Sequence, residues 1–198
     1  MSFSRKRESQ SLIMKKNFRI IHAYALDKNY FNAIDEEMAR LQPNEWGVIM
    51  DMDTMPLLPD FGHQIQAYID KYPDTGLFTC YASRCHYACQ VRKGTDMANT
   101  DILYHKQMAD KCHRELHLKV KELDRKIAGH LMIIKKSTWL QIRDRVKKNT
   151  AGKKILGVDT KISYAILDLK LKIRLMRGVY LFHFLRLHKD FGYTNHLQ

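Results

Sequence analysis

Trp46-Gly47-Val48-Ile49-Met50-Asp51-Met52-Asp53-Thr54-Met55-Pro56 is an apolar run of strand length that stops at two carboxylates one residue apart. A proline soon afterwards prevents simple continuation of the strand. The run reads as a buried strand and its end as a site. In an extended backbone Asp51 and Asp53 point the same way, so their charges repel unless water, a proton or a cation separates them. A hard divalent ion with oxygen ligands, itself able to hold a phosphate, meets that need. Two solvated turn aspartates are the plainer alternative.

Working outward, Phe18 to Tyr24 reads as a first buried strand followed by a loop through Asp27. Asn29 can cap a helix whose Phe31, Ile34, Met38 and Leu41 share one face and which ends near Pro43. Strand, helix, strand predicts a parallel pair. Downstream, Phe61, Ile65, Tyr68, Ile69 and Tyr72 mark an amphipathic helix closed by Pro73 and the Asp74-Thr75-Gly76 turn. Leu77 to Tyr81 is a third strand, Ala82 to Asn99 an aperiodic loop, and a helix is predicted from Asp101 to about Glu122. Gly129 to Ile134 is a strand, Ser137 caps a helix with Trp139, Ile142 and Val146, and a basic loop runs from Asn149 to Gly157. A helix from Asp159 carries Ile162, Ala165, Ile166 and Leu169. Leu171, Ile173 and Leu175 alternate as a half-buried strand, and Val179 to Phe184 reads as another. Alternating helices and strands without a repeat predict an α/β fold, a three-layer sandwich with a mostly parallel central sheet flanked by helices. Residues 1–16 read as a flexible basic leader and residues 17–198 as one compact domain.

No apolar run approaches the roughly 20 residues of a membrane span, and the basic N-terminus lacks the apolar segment of a secretory signal. A cytoplasmic protein, with peripheral membrane contact left open, is the expectation. Cys80, Cys85, Cys89 and Cys112 include no CxxC pair, which favours reduced structural thiols over a disulfide framework or a zinc site with His86 or His113. The net charge is +13, and Lys119 to Arg177 holds 17 Lys/Arg against 5 Asp/Glu. Such a flank attracts phosphates of a nucleotide, a nucleic acid or anionic lipid, and equally an anionic acceptor.

In open α/β sheets, sites collect beyond the carboxyl ends of the strands. Tyr24 and Asp27 follow the first strand, Asp51 and Asp53 the second, Arg84 the third, and His183 lies in the last. Imidazole is an acceptable third ligand for manganese beside two carboxylates, although a lone histidine in an apolar strand is commonly a core residue. Arg177, Tyr180 and Arg186 flank it, and an arginine fork suits a diphosphate. Asp159, at a helix start, is either an N-cap or a general base.

Three segments together carry a resemblance: Asp51-Met52-Asp53, Gly157-Val158-Asp159-Thr160-Lys161-Ile162-Ser163, and Met176-Arg177-Gly178-Val179-Tyr180-Leu181-Phe182-His183-Phe184-Leu185-Arg186. In this order the chain resembles a GT-A glycosyltransferase of the family-2-like group over most of residues 18 to 188. The resemblance implies a nucleotide-sugar donor, UDP-sugar preferred, held through Mn²⁺ or Mg²⁺ by Asp51 and Asp53. It implies that Asp53 is a direct ligand, that Asp51 reaches the metal through water or touches the donor, and that His183 is the C-terminal metal ligand. Asp159 matches the family's catalytic aspartate, with inverting displacement onto an acceptor hydroxyl. The chain departs from the pattern in having Val158 where a second acidic residue is usual. Its DxD also comes after one strand-helix unit, which implies a shortened nucleotide-binding part.

Two other readings stand beside it. A strand ending in DxD also suits a haloacid-dehalogenase-type phosphatase, but Met55 stands where Thr or Val is wanted. A non-enzymatic nucleic-acid module would rest on the basic stretch, without a zinc knuckle or recognition-helix signature to support it.

Overall fold

A computed structural model describes residues 17–23, 29–150 and 157–185. The leader, Tyr24, Asp27, Arg186 and most of the 149–157 loop lie outside the described residues. The elements are β1 (Phe18–Ile21), α1 (Tyr30–Ala39), β2 (Trp46–Met50), β3 (Thr54–Pro56), α2 (Phe61–Lys71), β4 (Thr75–Ala82), α3 (Ile102–Leu116), β5 (Val120–Leu123), β6 (Leu131–Lys135), α4 (Lys136–Thr150), α5 (Val158–Asp168) and β7 (Lys172–His183), with a 3-10 turn at Ala88–Gln90.

The strands form one seven-stranded mixed sheet in the order β1-β2-β6-β4-β7-β3, with β5 also on β7. β1 and β2 pair parallel, as the strand-helix-strand opening predicts, and so do β4 and β7. β6 is antiparallel to both β2 and β4, and β3 and β5 are antiparallel to β7. Four of the seven strands therefore share one direction while most pairings are antiparallel, so the sheet is mostly parallel in strand direction and mixed in pairing. The α/β class and the helices on both faces agree with the reading of the sequence.

Alternation along the strands sorts side chains into two cores. Trp46, Val48 and Met50 of β2, Leu131 and Ile133 of β6, and Phe78 and Cys80 of β4 meet Phe61, Ile65, Tyr68 and Ile69 of α2. On the other face Ile49, Met132, Ile134 and Leu77 meet Phe31, Ile34 and Met38 of α1, Trp139 and Ile142 of α4, and Ile162 and Ile166 of α5. All five β2 residues are buried, which is what an unbroken apolar strand requires. Gly47 lets α1 approach: a Cβ there would lie 2.3 Å from Met38 Sδ. Asn29 caps α1, its Oδ1 accepting from Asn32 N at 3.2 Å.

Four expectations change. α4 already begins at Lys136, directly after β6, so Ser137 lies inside its first turn and is not its cap. The helix from Asp101 ends at Leu116, and Leu118 takes φ 53 before β5 lies against β7. That left-handed residue turns the chain, and Val120 and Leu123 then serve a strand rather than a helix face. Lys172 to His183 is one strand rather than two, with a register shift opposite Cys80 and Tyr81 that absorbs Arg177, Gly178 and Val179 as a bulge. The chain resumes as a strand at Thr54, because Pro56 sits in the three-residue edge strand β3, where a missing N–H is tolerated.

Several cations of the basic stretch are engaged in ion pairs. Arg143 pairs with Asp35 at 2.6 Å, Arg145 with Asp168, and Lys172 with Glu122 at 3.2 Å. Arg174, 5% exposed, forks onto Asp74 at 2.5 and 2.9 Å. All four cysteines are free thiols, and burial raises each; Cys85 is pushed up to about 12. No described helix is long and apolar enough to cross a membrane.

Candidate metal and transfer site

β2 delivers Asp51 to its carboxyl end, and the chain turns there instead of running on extended. Thr54 N donates to Asp51 O at 3.2 Å and Thr54 Oγ1 to the same oxygen at 2.7 Å, closing a tight turn with Met52 at its exposed tip. β3 then pairs with the end of β7, Thr54 opposite His183, and Phe184 N donates to Asp53 O at 2.8 Å. This short edge strand is what brings His183 to Asp53.

His183 Nε2 lies 3.3 Å from Asp53 Oδ1. One ligand atom each from Asp51, Asp53 and His183 fall within 4.8 Å of one another, the only such group of His, Cys, Asp or Glu among the described residues. Among the described residues, the cysteines and the other histidines are not brought together in this way. The buried imidazole is fixed from behind: Nδ1 lies 2.9 Å from Arg84 O, and His183 N donates to Ser83 Oγ at 2.9 Å. A carbonyl can only accept, so Nδ1 carries a proton, and Nε2 is the ring nitrogen that faces Asp53, either donating a second proton to it or offering its lone pair to a cation. A lone pair facing a carboxylate oxygen is unfavourable unless a proton or a cation lies between them. Two carboxylates and one imidazole so oriented fit Mn²⁺ or Mg²⁺, and the Arg84 carbonyl is the outer partner that a ligating histidine needs.

The two carboxylates are electrostatically unequal. Burial, reinforced by the charge of Asp53, raises Asp51 above its ordinary range. The hydrogen bond from His183 lowers Asp53, which is also the more exposed of the two. Tyr30 opens α1 beside them and donates its hydroxyl to Asp51 Oδ1 at 3.3 Å. Burial and then Asp51 push its phenol pKa up, so it stays a donor.

Asp159 approaches from the start of α5. Gly157, in a left-handed conformation at φ 97, takes the cap position, so Asp159 lies in the first turn and is not the N-cap. Its Oδ1 accepts from Thr160 N at 2.7 Å, and the Gly129 N–H also donates to it. A Cβ on Gly129 would stand 3.1 Å from Asp159 Cβ. Burial raises the Asp159 pKa against these donors, and its charge reaches both Asp51 and Tyr30. Beneath the ligands, His130 is fully buried; its carbonyl accepts Asp51 N at 3.3 Å and its ring lies 5.7 Å from that of His183.

Other residues predicted for the site go elsewhere. Arg84 serves it through its backbone carbonyl, while its buried guanidinium donates to Ala98 O at 3.2 Å. Tyr180 stands three residues from His183 and so on the opposite face of β7, with its hydroxyl 2.7 Å from His105 Nδ1. Arg177 lies at the β7 bulge, its N donating to Lys119 O, about 20 Å from His183 along the strand by the rise per residue. Tyr30, Gly129, Ser83 and His130 were not singled out from sequence. Only Tyr30 left a usable signal there: an aromatic hydroxyl at the first turn of a helix that follows a strand end.

The chain matches no protein-family model, and a search of the curated proteins finds no match to it.

Proposed function

We propose that this protein is a divalent-cation-dependent glycosyltransferase of GT-A type, moving a sugar from a nucleotide-sugar donor to an acceptor hydroxyl. The observation that carries the reading is the convergence of Asp51, Asp53 and His183, with the His183 Nε2 turned toward Asp53. The α/β fold with this cluster beyond the carboxyl end of a buried strand supports it.

In this reading Asp53 and His183 hold the cation directly, and Asp51, oriented by the Tyr30 hydroxyl, completes the set. The cation, when bound, neutralises charge on the departing nucleoside diphosphate. Asp159 takes the proton of the acceptor hydroxyl as that oxygen bonds to the anomeric carbon and the bond from that carbon to the phosphate oxygen breaks. Burial that raises the Asp159 pKa makes it a stronger base than an exposed carboxylate, and the Gly129 and Thr160 N–H groups keep it aimed. One carboxylate acting as base, without a second as nucleophile, supports inversion.

Calorimetry tests the site. A nucleoside diphosphate, UDP first and then GDP, CDP and dTDP, is expected to bind only with Mn²⁺ or Mg²⁺, and Asp53→Ala to abolish the binding. Metal-independent binding of equal strength refutes the site. Asp159→Asn is expected to keep nucleotide binding and lose transfer; unchanged turnover refutes its role as base.

A further inference from the structure

We infer that Tyr87, Lys126 and Tyr164 form an acceptor subsite beside Asp159 that takes a sugar ring bearing an anionic group. The inference rests on the transferase reading above and supplies the acceptor class that reading leaves open.

The Lys126 Nζ stands 5.5 Å from the centroid of the Tyr87 ring, and its other electrostatic neighbours include Tyr164 and Asp159. Tyr164 is 47% exposed, one of the few large aromatic side chains not spent on either core. The exposed Tyr164 ring and the Lys126 ammonium, which rests on Tyr87, offer a sugar an aromatic surface for its C–H groups and a cation for a carboxylate or phosphate.

The segment that presents Lys126 is built into the fold rather than left as a surface loop. Ile127 is fully buried and its N donates to Ser163 Oγ at 3.2 Å; the same hydroxyl donates to Asp159 O at 2.8 Å. Ala128 N donates to Gln90 Oε1 at 2.7 Å. Gln90 Nε2 donates to Ala128 O at 3.2 Å and to Thr79 Oγ1 at 2.8 Å. Gln90 and Ser163 are both fully buried, so two interior polar side chains fix the backbone on either side of Ile127.

The order along this segment gives the direction of the acceptor. His130 O accepts Asp51 N at the metal ligands, the Gly129 N–H meets Asp159, and Lys126 follows at the far end. Four residues span at most about 14 Å. An acceptor with its hydroxyl at Asp159 therefore extends away from the donor phosphates and over Lys126, which places a positive charge where the donor does not need one.

The test uses the full chain with methyl glucoside, methyl glucuronoside and glucose 6-phosphate as probes. Binding is followed by ligand-observed NMR, and Mn²⁺-dependent UDP binding is measured on the same samples. The charged glycosides are expected to bind about three- to five-fold more tightly than the neutral one, the size of an exposed ion pair. Lys126→Gln or high salt removes that preference, and Tyr164→Ala weakens all three probes by about ten-fold. Tighter glucose 6-phosphate than glucuronoside assigns the anion as phosphate, and the reverse as carboxylate. Equal affinity of charged and neutral probes, a preference that survives Lys126→Gln, or no binding of any probe overturns the subsite. Glycoside preference without Mn²⁺-dependent UDP binding retains the subsite and removes the transferase reading; UDP binding without the preference does the reverse.

Discussion

His130 gives the most direct physical test of how the site is supported. Its ring is fully buried, with Nε2 3.2 Å from Cys80 O and Nδ1 without a partner. Burial, aided by the His183 charge, pushes its pKa down from 6.5 to about 3. The sign follows from which state binds the proton first. The unfolded chain protonates His130 near 6.5 and the folded chain only near 3, so this stability is complete above 6.5 and is lost as pH falls between those values. At about 1.36 kcal/mol per pH unit, and with the unfolded histidine already half protonated at 6.5, lowering the pH from 6.5 to 4.5 removes roughly 2 kcal/mol from this residue alone. Asp53, lowered by His183, adds acid sensitivity of the same sign, so the residue must be isolated by difference. His130→Gln keeps an N–H for the Cys80 carbonyl and cannot titrate. Urea unfolding at both pH values is expected to show wild type losing about 2 to 3 kcal/mol more than the variant. Equal acid losses in the two proteins, or an NMR titration placing His130 near 6.5, refutes the reasoning.

Three further outcomes follow from the geometry. Tyr30→Phe removes the donor to Asp51 Oδ1 and is expected to weaken Mn²⁺ binding about ten-fold by paramagnetic titration; unchanged affinity shows that the hydroxyl does not orient the ligand. Gly129→Ala places a methyl 3.1 Å from Asp159 Cβ and is expected to cut transfer while leaving Mn²⁺-nucleotide binding intact, so parallel losses in both would contradict it. Gly47→Ala drives a Cβ to 2.3 Å from Met38 Sδ and is expected to cost about 1 to 3 kcal/mol in chemical denaturation, toward the low end if the methionine swings aside.

What the sequence revealed depended on how local the cause was. β2 was legible because every one of its five residues is buried, so its composition alone marks it. Asp51, Asp53, Asp159 and His183 were legible as residue types at element ends, and the structure brings the two aspartates and His183 to one cluster, with Asp159 coupled electrostatically to Asp51. β3 was hidden because a three-residue strand ending in proline owes its existence to its partner β7 rather than to its own preferences. β5 was hidden for the same reason, since its pairing with β7 overrides a sequence that continues the pattern of α3. The opposite faces of Tyr180 and His183 follow from their odd separation and were readable once β7 is known to be continuous. The role of Gly129 was not readable at all, because only the folded chain shows that Asp159 occupies the space a side chain would need.

The β3-β7 pairing also sets an order of assembly. β7 is the last described strand, it pairs with β4 from Thr75 opposite Lys172 onward, and His183 N reaches Ser83 Oγ across 100 positions of sequence. Contacts so far apart close late and slowly, because loop-closure entropy opposes them until much of the chain is in place. A chain emerging from synthesis therefore carries its two aspartates for most of its length before the histidine arrives. In the proposed site, a cation held across Asp53 and His183 would tether the final strand to the turn that follows β2. Mn²⁺ is thus expected to slow unfolding chiefly by holding β7 in its seat.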